Sequence, residues 1–288
     1  MKFKLSILPI LYLIILLCLN SSCGHKYYAP NDADLVVLKK KHDVHLSGTT
    51  DIGSKSKQSS NVQLGYSPIK HLGFAGSYFK YNQWKKTQNP PVRGNGKIWN
   101  AAIGAYFFQP LISKGLSKRD SKRSKKILRN QHLFHPAGIL MDIYFGRSKG
   151  SVNNLYDTGG MTQLKFQKNY IQFGIHWTSK SIGFDLATRI GKLNYSEAII
   201  SGKPSSSSSY VIDYLESNNN FNLLEHSFRL NLGFNHIRLV LSVSGISQSA
   251  KLNQLGVVEA VTTFGMIIEI DEFLRKNKKE GMEKNIDF

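Results

Sequence analysis

The sequence predicts an all-β fold: an antiparallel up-and-down transmembrane β-barrel of about ten strands, with long external loops and short periplasmic turns. Three observations predict it. Apolar and polar residues alternate with period two through run after run. Gly, Asn, Ser and Pro punctuate those runs, and helical periodicity is nearly absent after residue 40. Short and long gaps between runs alternate, as they do in outer-membrane barrels.

In chain order, residues 1–22 read as a lipoprotein signal peptide. Lys2 and Lys4 form a positive start, Leu5 to Leu19 is uncharged and apolar, and Asn20-Ser21-Ser22 precedes Cys23. That arrangement resembles a lipobox, in which Cys23 becomes the acylated (palmitate-bearing) amino terminus. An uncleaved helical anchor fits less well, because the apolar run is short for a span and Pro9 interrupts it. Acyl chains contribute about 0.8 kcal/mol per buried methylene, so several hold a protein firmly. No acidic cluster follows Cys23, which favours an anchor on the periplasmic side. Residues 23–42 read as a lipidated linker, 43–270 as the barrel, and 271–288 as a charged tail.

Strands are expected to start near Asp43, Ser60, Leu72, Ile98, Ala137, Leu164, Ile182, Leu223, Ile237 and Val257, with lengths of about 9–13 residues, as tilted spanning strands require. The clearest has Phe228, Leu230, Leu232 and Phe234 on one face and Arg229, Asn231 and Gly233 on the other. After the two-residue turn Asn235-His236, the run Ile237, Leu239, Leu241, Val243 completes a hairpin. The gaps at 67–71, 178–181 and 235–236 are short, and those near 52–59, 82–97, 149–163, 196–222 and 248–256 are longer. One gap breaks the pattern. Residues 109–136 should be a short periplasmic turn but hold Lys114, Lys118, Arg119, Lys122, Arg123, Lys125, Lys126 and Arg129 against Asp120 alone.

Strands in lipid must pair both edges, so the sheet must close. Closure turns the Leu, Ile, Phe, Val and Trp faces outward. It leaves a lumen charge network of Asp142, Asp185, Arg189, Arg229, Arg238 and Glu259. Ten strands enclose little more space than the eight that side chains fill, so a plugged interior is expected and not a pore for general diffusion.

Several runs carry a family resemblance. Tyr27-Tyr28-Ala29-Pro30-Asn31, Gly65-Tyr66-Ser67-Pro68-Ile69-Lys70-His71-Leu72-Gly73-Phe74, Ala102-Ile103-Gly104-Ala105-Tyr106-Phe107, Tyr144-Phe145-Gly146-Arg147-Ser148-Lys149-Gly150 and Leu164 to Gln172 are similar to small outer-membrane β-barrel lipoproteins of Bacteroidota. The resemblance covers most of residues 23–270. It implies location and fold, and no activity. The basic insertion near 112–132 departs from the compact turn of that pattern.

The chain has 38 Lys+Arg against 19 Asp+Glu. The basic stretch 114–129 suits an anionic surface: lipid headgroups, lipopolysaccharide or peptidoglycan. Nucleic acid is excluded by the expected export and by the lack of any supporting motif. No cofactor is implied. His132 and His135 lack further ligands, and His42 and His45 are expected on opposite faces of the first strand, so no metal is expected. His226 and Ser227 are adjacent, hence on opposite faces, and no G-x-S-x-G run exists. The chain therefore does not read as an enzyme. Two other classes stay open: a periplasmic lipoprotein with a soluble lipocalin-like barrel, whose Phe228, Leu230, Leu232 and Phe234 would line a ligand cavity, and an outer-membrane lipid-modifying enzyme.

Overall fold

The computed structural model describes residues 27–269 except 32, 34, 52–56, 86–91, 111–137, 157–158, 180, 203–210, 212, 216, 235–236 and 248–259. The signal stretch, Cys23, all eight basic residues of 114–129, Glu259 and the tail lie outside the described residues. Ten strands form: β1 (Val44–Asp51), β2 (Lys57–Ile69), β3 (Leu72–Lys85), β4 (Val92–Pro110), β5 (Gly138–Leu155), β6 (Met161–Thr178), β7 (Ile182–Ser201), β8 (Asn220–Phe234), β9 (Ile237–Ser247) and β10 (Ala260–Glu269). Each pairs antiparallel with its chain neighbours, and β1 pairs with β10, so the sheet closes into an up-and-down barrel. Short connections at 70–71, 179–181 and 235–236 mark one end. The same end receives the long β4–β5 connection, and the other end carries the remaining loops, including a helical stretch within 211–217.

Inside and outside are set by the alternation. Along β6, Ile171, Phe173, Ile175 and Trp177 are exposed while Tyr170, Gln172 and His176 are buried. Along β8, Leu232 is 46% exposed, whereas Ser227, Arg229 and Asn231 are each under 5%. This corrects the lipocalin-like alternative, which needed Leu232 inside. Leu230 and Phe228 share the face of Leu232, and the Phe234 side chain lies outside the described residues.

Six strands exceed the expected length, β3 and β8 slightly at 14 and 15 residues and four by far: β4 has 19 residues, β5 and β6 have 18 each, and β7 has 20. Stretches taken as loops at 82–97 and 149–163 are therefore largely sheet. The outer face changes character along these strands. On β4 the outward residues Arg93, Asn95 and Lys97 give way to Trp99, Ala101, Ile103, Ala105 and Phe107. On β5, Asn153, Lys149 and Arg147 give way to Phe145, Ile143, Met141 and Ile139. On β7, Asn194 and Lys192 give way to Ile190, Leu186, Phe184 and Ile182. An apolar band thus girdles the short-turn half, and a polar collar stands above it. Lys165 and Glu197 in the collar form an exposed ion pair (2.7 Å), a contact of the sort that contributes little to stability. From Ile182 to Ile190, a rise of ~3.3 Å per residue at a tilt of ~40° gives a band ~20 Å tall. On the opposite side the strands are short: β1 has 8 residues, β9 has 11 and β10 has 10.

The largest departure from expectation is the amino-terminal segment. Read from the sequence as a linker, its described part from Tyr27 to Lys39 runs through the lumen. Tyr28, Leu35, Val36 and Leu38 are completely buried. Two inward glycines leave it room. A Cβ at Gly65 would overlap Val36, and one at Gly73 would come within 2.8 Å of Leu38. At the short-turn end the chain reverses into β1 through His42, whose φ of 58° is left-handed; His42 therefore lies in a turn and not in the first strand.

Gly65→Val should lower the melting temperature of the detergent-solubilised protein, because overpacking costs about 1–3 kcal/mol. Gly48→Val is the control, since nothing lies within 4 Å of the Cβ it would add. Equal losses at the two positions would contradict the packing of Val36 against β2.

Candidate functional site

The lumen and the segment that fills it form the one large constellation of buried polar groups among the described residues. The segment's contacts descend the barrel in order. Tyr27 sits nearest the long-loop end: its hydroxyl is 3.1 Å from that of Tyr156, and its carbonyl accepts from the Tyr195 hydroxyl at 3.0 Å. Around it packs an aromatic layer, with Tyr28 edge-on to Phe166 (5.5 Å), Phe166 to Tyr195 (5.9 Å) and Tyr195 to Phe221 (6.0 Å).

Beneath this layer lies a buried three-part contact. Lys168 meets Glu225 at 2.7 Å, donates to the Tyr28 hydroxyl at 2.8 Å, and that hydroxyl donates to Glu225 at 2.7 Å. Charge and hydrogen-bond capacity are matched, as burial of ions demands. The ammonium also sits 5.4 Å from the Tyr170 ring centre. Arg189 comes next. It donates to Gln172 at 2.9 Å and to Asn31 at 3.3 Å, and stacks 4.7 Å over Tyr170. Further down, Ser227 accepts from the Ala33 amide at 2.9 Å, Gln63 donates to the Ala33 carbonyl at 2.8 Å, and Arg229 donates to the Leu35 carbonyl.

Arg229 links the segment to a second cluster. Its Nε donates to Asp185 at 2.7 Å, where Asn231 also donates at 2.6 Å. The two ring nitrogens of His176 face Asp185 (3.1 Å) and Asp142 (2.7 Å). Both nitrogens are thus engaged by carboxylates, and neither is left to relay a proton to a nucleophile. Arg238 donates to Thr178 at 3.1 Å near the short turns. At the bottom Lys39 meets Glu269 at 3.3 Å, and its amide donates to Asp43 at 2.8 Å. Burial lifts the Asp43 carboxyl above the ordinary range, against the lowering effect of that hydrogen bond.

Of the sequence-predicted lumen residues, Asp142, Asp185, Arg189, Arg229 and Arg238 are all buried. The structure joins Arg229, Asp185 and, through His176, Asp142, while Arg189 belongs to the layer above and Arg238 to the short-turn end. Lys168, Glu225 and the whole Tyr27 to Lys39 segment escaped the sequence reading as site residues. A signal existed for the first two: extending the alternation of β6 and β8 two steps toward the long-loop end points both inward.

His226 lies on the outer face within 3.1 Å of Ser247, and Ser227 lies inside against Ser244 at 2.8 Å. No set of three His, Cys, Asp or Glu suited to a metal exists among the described residues. No helix among them is long and apolar enough to cross a membrane, which says nothing of strands. At the long-loop rim a cavity of about 460 Å³ opens between the tips of β3 to β6, lined by amides such as Asn95, Asn153 and Gln163 together with Arg93.

No protein-family model matches the chain, and no curated protein does. Among solved structures it is similar to CdiB from Acinetobacter baumannii, with a TM-score of 0.20 and 10% identity, over 80% of this chain and 60% of that one. The chain thus spans less than two thirds of that protein's length.

Lys168→Met should cost about 3–5 kcal/mol in denaturant unfolding, because Glu225 stays buried without its partner. The double variant Lys168→Met/Glu225→Leu should recover most of that loss. Additive losses would show that the two side chains do not act as a pair.

Proposed function

We propose that this protein is a lipid-anchored outer-membrane β-barrel with a structural, binding or envelope-interaction role. Its own amino-terminal segment seals the lumen against general diffusion. The observation that carries this reading is the outer surface. A ring of exposed Phe, Ile, Leu and Met, among them Phe145, Phe173, Ile175, Leu186 and Leu239, girdles a polar interior. Such a ring exposed to water would aggregate; facing hydrocarbon, it is stable. Its height of ~20 Å between the first and last of these side chains is close to the ~25 Å apolar band of spanning barrels, and Trp99 stands at its upper edge, where aromatic girdles form.

Residues 1–22 would serve as the signal peptide and Cys23 as the acylated terminus. The basic insertion, expected at 109–136, falls between Pro110 at the end of β4 and Gly138 at the start of β5, so it leaves the barrel at the short-turn end. Lys114, Lys118, Arg119, Lys122, Arg123, Lys125, Lys126 and Arg129 would there favour anionic headgroups or peptidoglycan on the periplasmic side. The collar residues Arg93, Lys97 and Lys149 face the level of lipopolysaccharide phosphates. A non-enzymatic role is the reading we favour, and it fits the engagement of His176 by two carboxylates and of Ser227 by the segment and Ser244.

Reconstitution into vesicles of lipids brominated along their acyl chains tests the assignment. Trp99 and Trp177, both exposed in or beside the band, should be quenched, and Trp99→Phe should reduce that quenching. The vesicles should stay impermeable to small sugars. Unquenched tryptophan in a protein that remains soluble without detergent would refute the assignment.

A further inference from the structure

Resting on the outer-membrane lipoprotein reading, we infer that the amino terminus threads the barrel. Cys23 emerges at the long-loop end, and its acyl chains enter the outer leaflet, opposite to where β1 begins. The sequence suggested a periplasmic-side anchor. The descending contacts of the luminal segment lead elsewhere.

The direction of the segment is fixed by β8, which runs from the long-loop end at Asn220 to the short-turn end at Phe234. Tyr28 bonds Glu225, Ala33 bonds Ser227, and Leu35 bonds Arg229, so the segment and β8 descend together. Lys39 then meets Glu269, the last residue of β10, at the short-turn end. Tyr27, at the top, contacts Tyr156 just beyond β5 and Tyr195 in the long-loop half of β7.

Twelve residues carry the chain from Tyr27 down to Lys39, a path of up to ~40 Å, whereas the four from Tyr27 back to Cys23 reach at most ~14 Å. Cys23 therefore cannot return to the short-turn end. The lumen below is also filled, since Tyr28, Leu35, Val36 and Leu38 are completely buried.

The barrel's shape supplies an exit toward lipid. The wall of β4 to β7 stands tall, but β1, β9 and β10 are short, and on β9 and β10 the outward apolar residues Val243 and Phe264 lie only four residues from that low rim. An acylated terminus crossing there meets hydrocarbon at the level of the outer leaflet. Two signals then hold the protein, the strand band and the acyl chains, from opposite ends of the first luminal passage.

The test uses single cysteines in full-length protein carrying Cys18→Ser, probed on intact cells with a membrane-impermeant maleimide. Asn219→Cys marks the long-loop end and Lys70→Cys the short-turn end. Both Asn219→Cys and His25→Cys should label on intact cells, and Lys70→Cys only after the outer membrane is permeabilised. Loss of His25→Cys labelling on intact cells, with recovery only alongside Lys70→Cys, would overturn the threading. If Lys70→Cys labels on intact cells and Asn219→Cys does not, the barrel is inverted and the leaflet assignment falls. Palmitate incorporation, lost in Cys23→Ala, reads the lipoprotein assignment separately: without it the acyl-chain inference fails even where the labelling pattern stands.

Discussion

Closing ten alternating strands forces one face of every strand into a narrow lumen, and the rest of this structure follows from how that lumen is satisfied. Lys168, Arg189, Arg229, Arg238, Asp142, Asp185 and Glu225 all turn inward. A buried ion left alone costs several kcal/mol, so each needs partners. The strands supply some of them, as when His176 bridges Asp142 and Asp185. The amino-terminal segment supplies the rest with the Tyr28 hydroxyl, the Asn31 amide and the backbone of Ala33 and Leu35. It is a structural component of the interior, as integral as a strand.

That arrangement constrains how the protein is built. A chain whose amino terminus runs through its own closed barrel must either enter through the mouth beside β1 or be enclosed as the β1–β10 seam forms. Closure around the segment is the simpler order of events. The inward glycines Gly65 and Gly73 fit this sequence, since they shape β2 and β3 to receive Val36 and Leu38 before the seam is made. The uneven strand lengths divide the outer wall likewise. The short-turn half offers an apolar band, while the collar on β4 to β7 carries hydrated groups such as Lys97, Arg147 and Glu197 well above it.

The period-two pattern made much of this legible. It located nine of the ten strands within three residues of their observed starts, with Leu72, Ile182 and Ile237 matching and β4 starting six residues earlier than expected, and it assigned the inward face. Strand ends were less legible, because the outward polar residues of the collar look like loop composition: Lys97, Lys149 and Lys165 carry no apolar alternation to extend. The luminal segment was least legible. Its burial is imposed by the cavity around it and by no local periodicity. The one local hint was the apolar run Leu35 to Leu38 ahead of three lysines, a short buried run lying where a linker was expected. Lys168 and Glu225 are informative only as a pair brought together by the register of β6, β7 and β8.

Hydrogen–deuterium exchange resolved to peptides covering residues 27–39, on the protein in lipid nanodiscs, tests the central claim most directly. If the segment is a sealed part of the interior, its amides should exchange as slowly as those of β6 and β8. Complete exchange within seconds, with the strands still protected, would mean that the lumen is not occupied by this segment and would contradict the account.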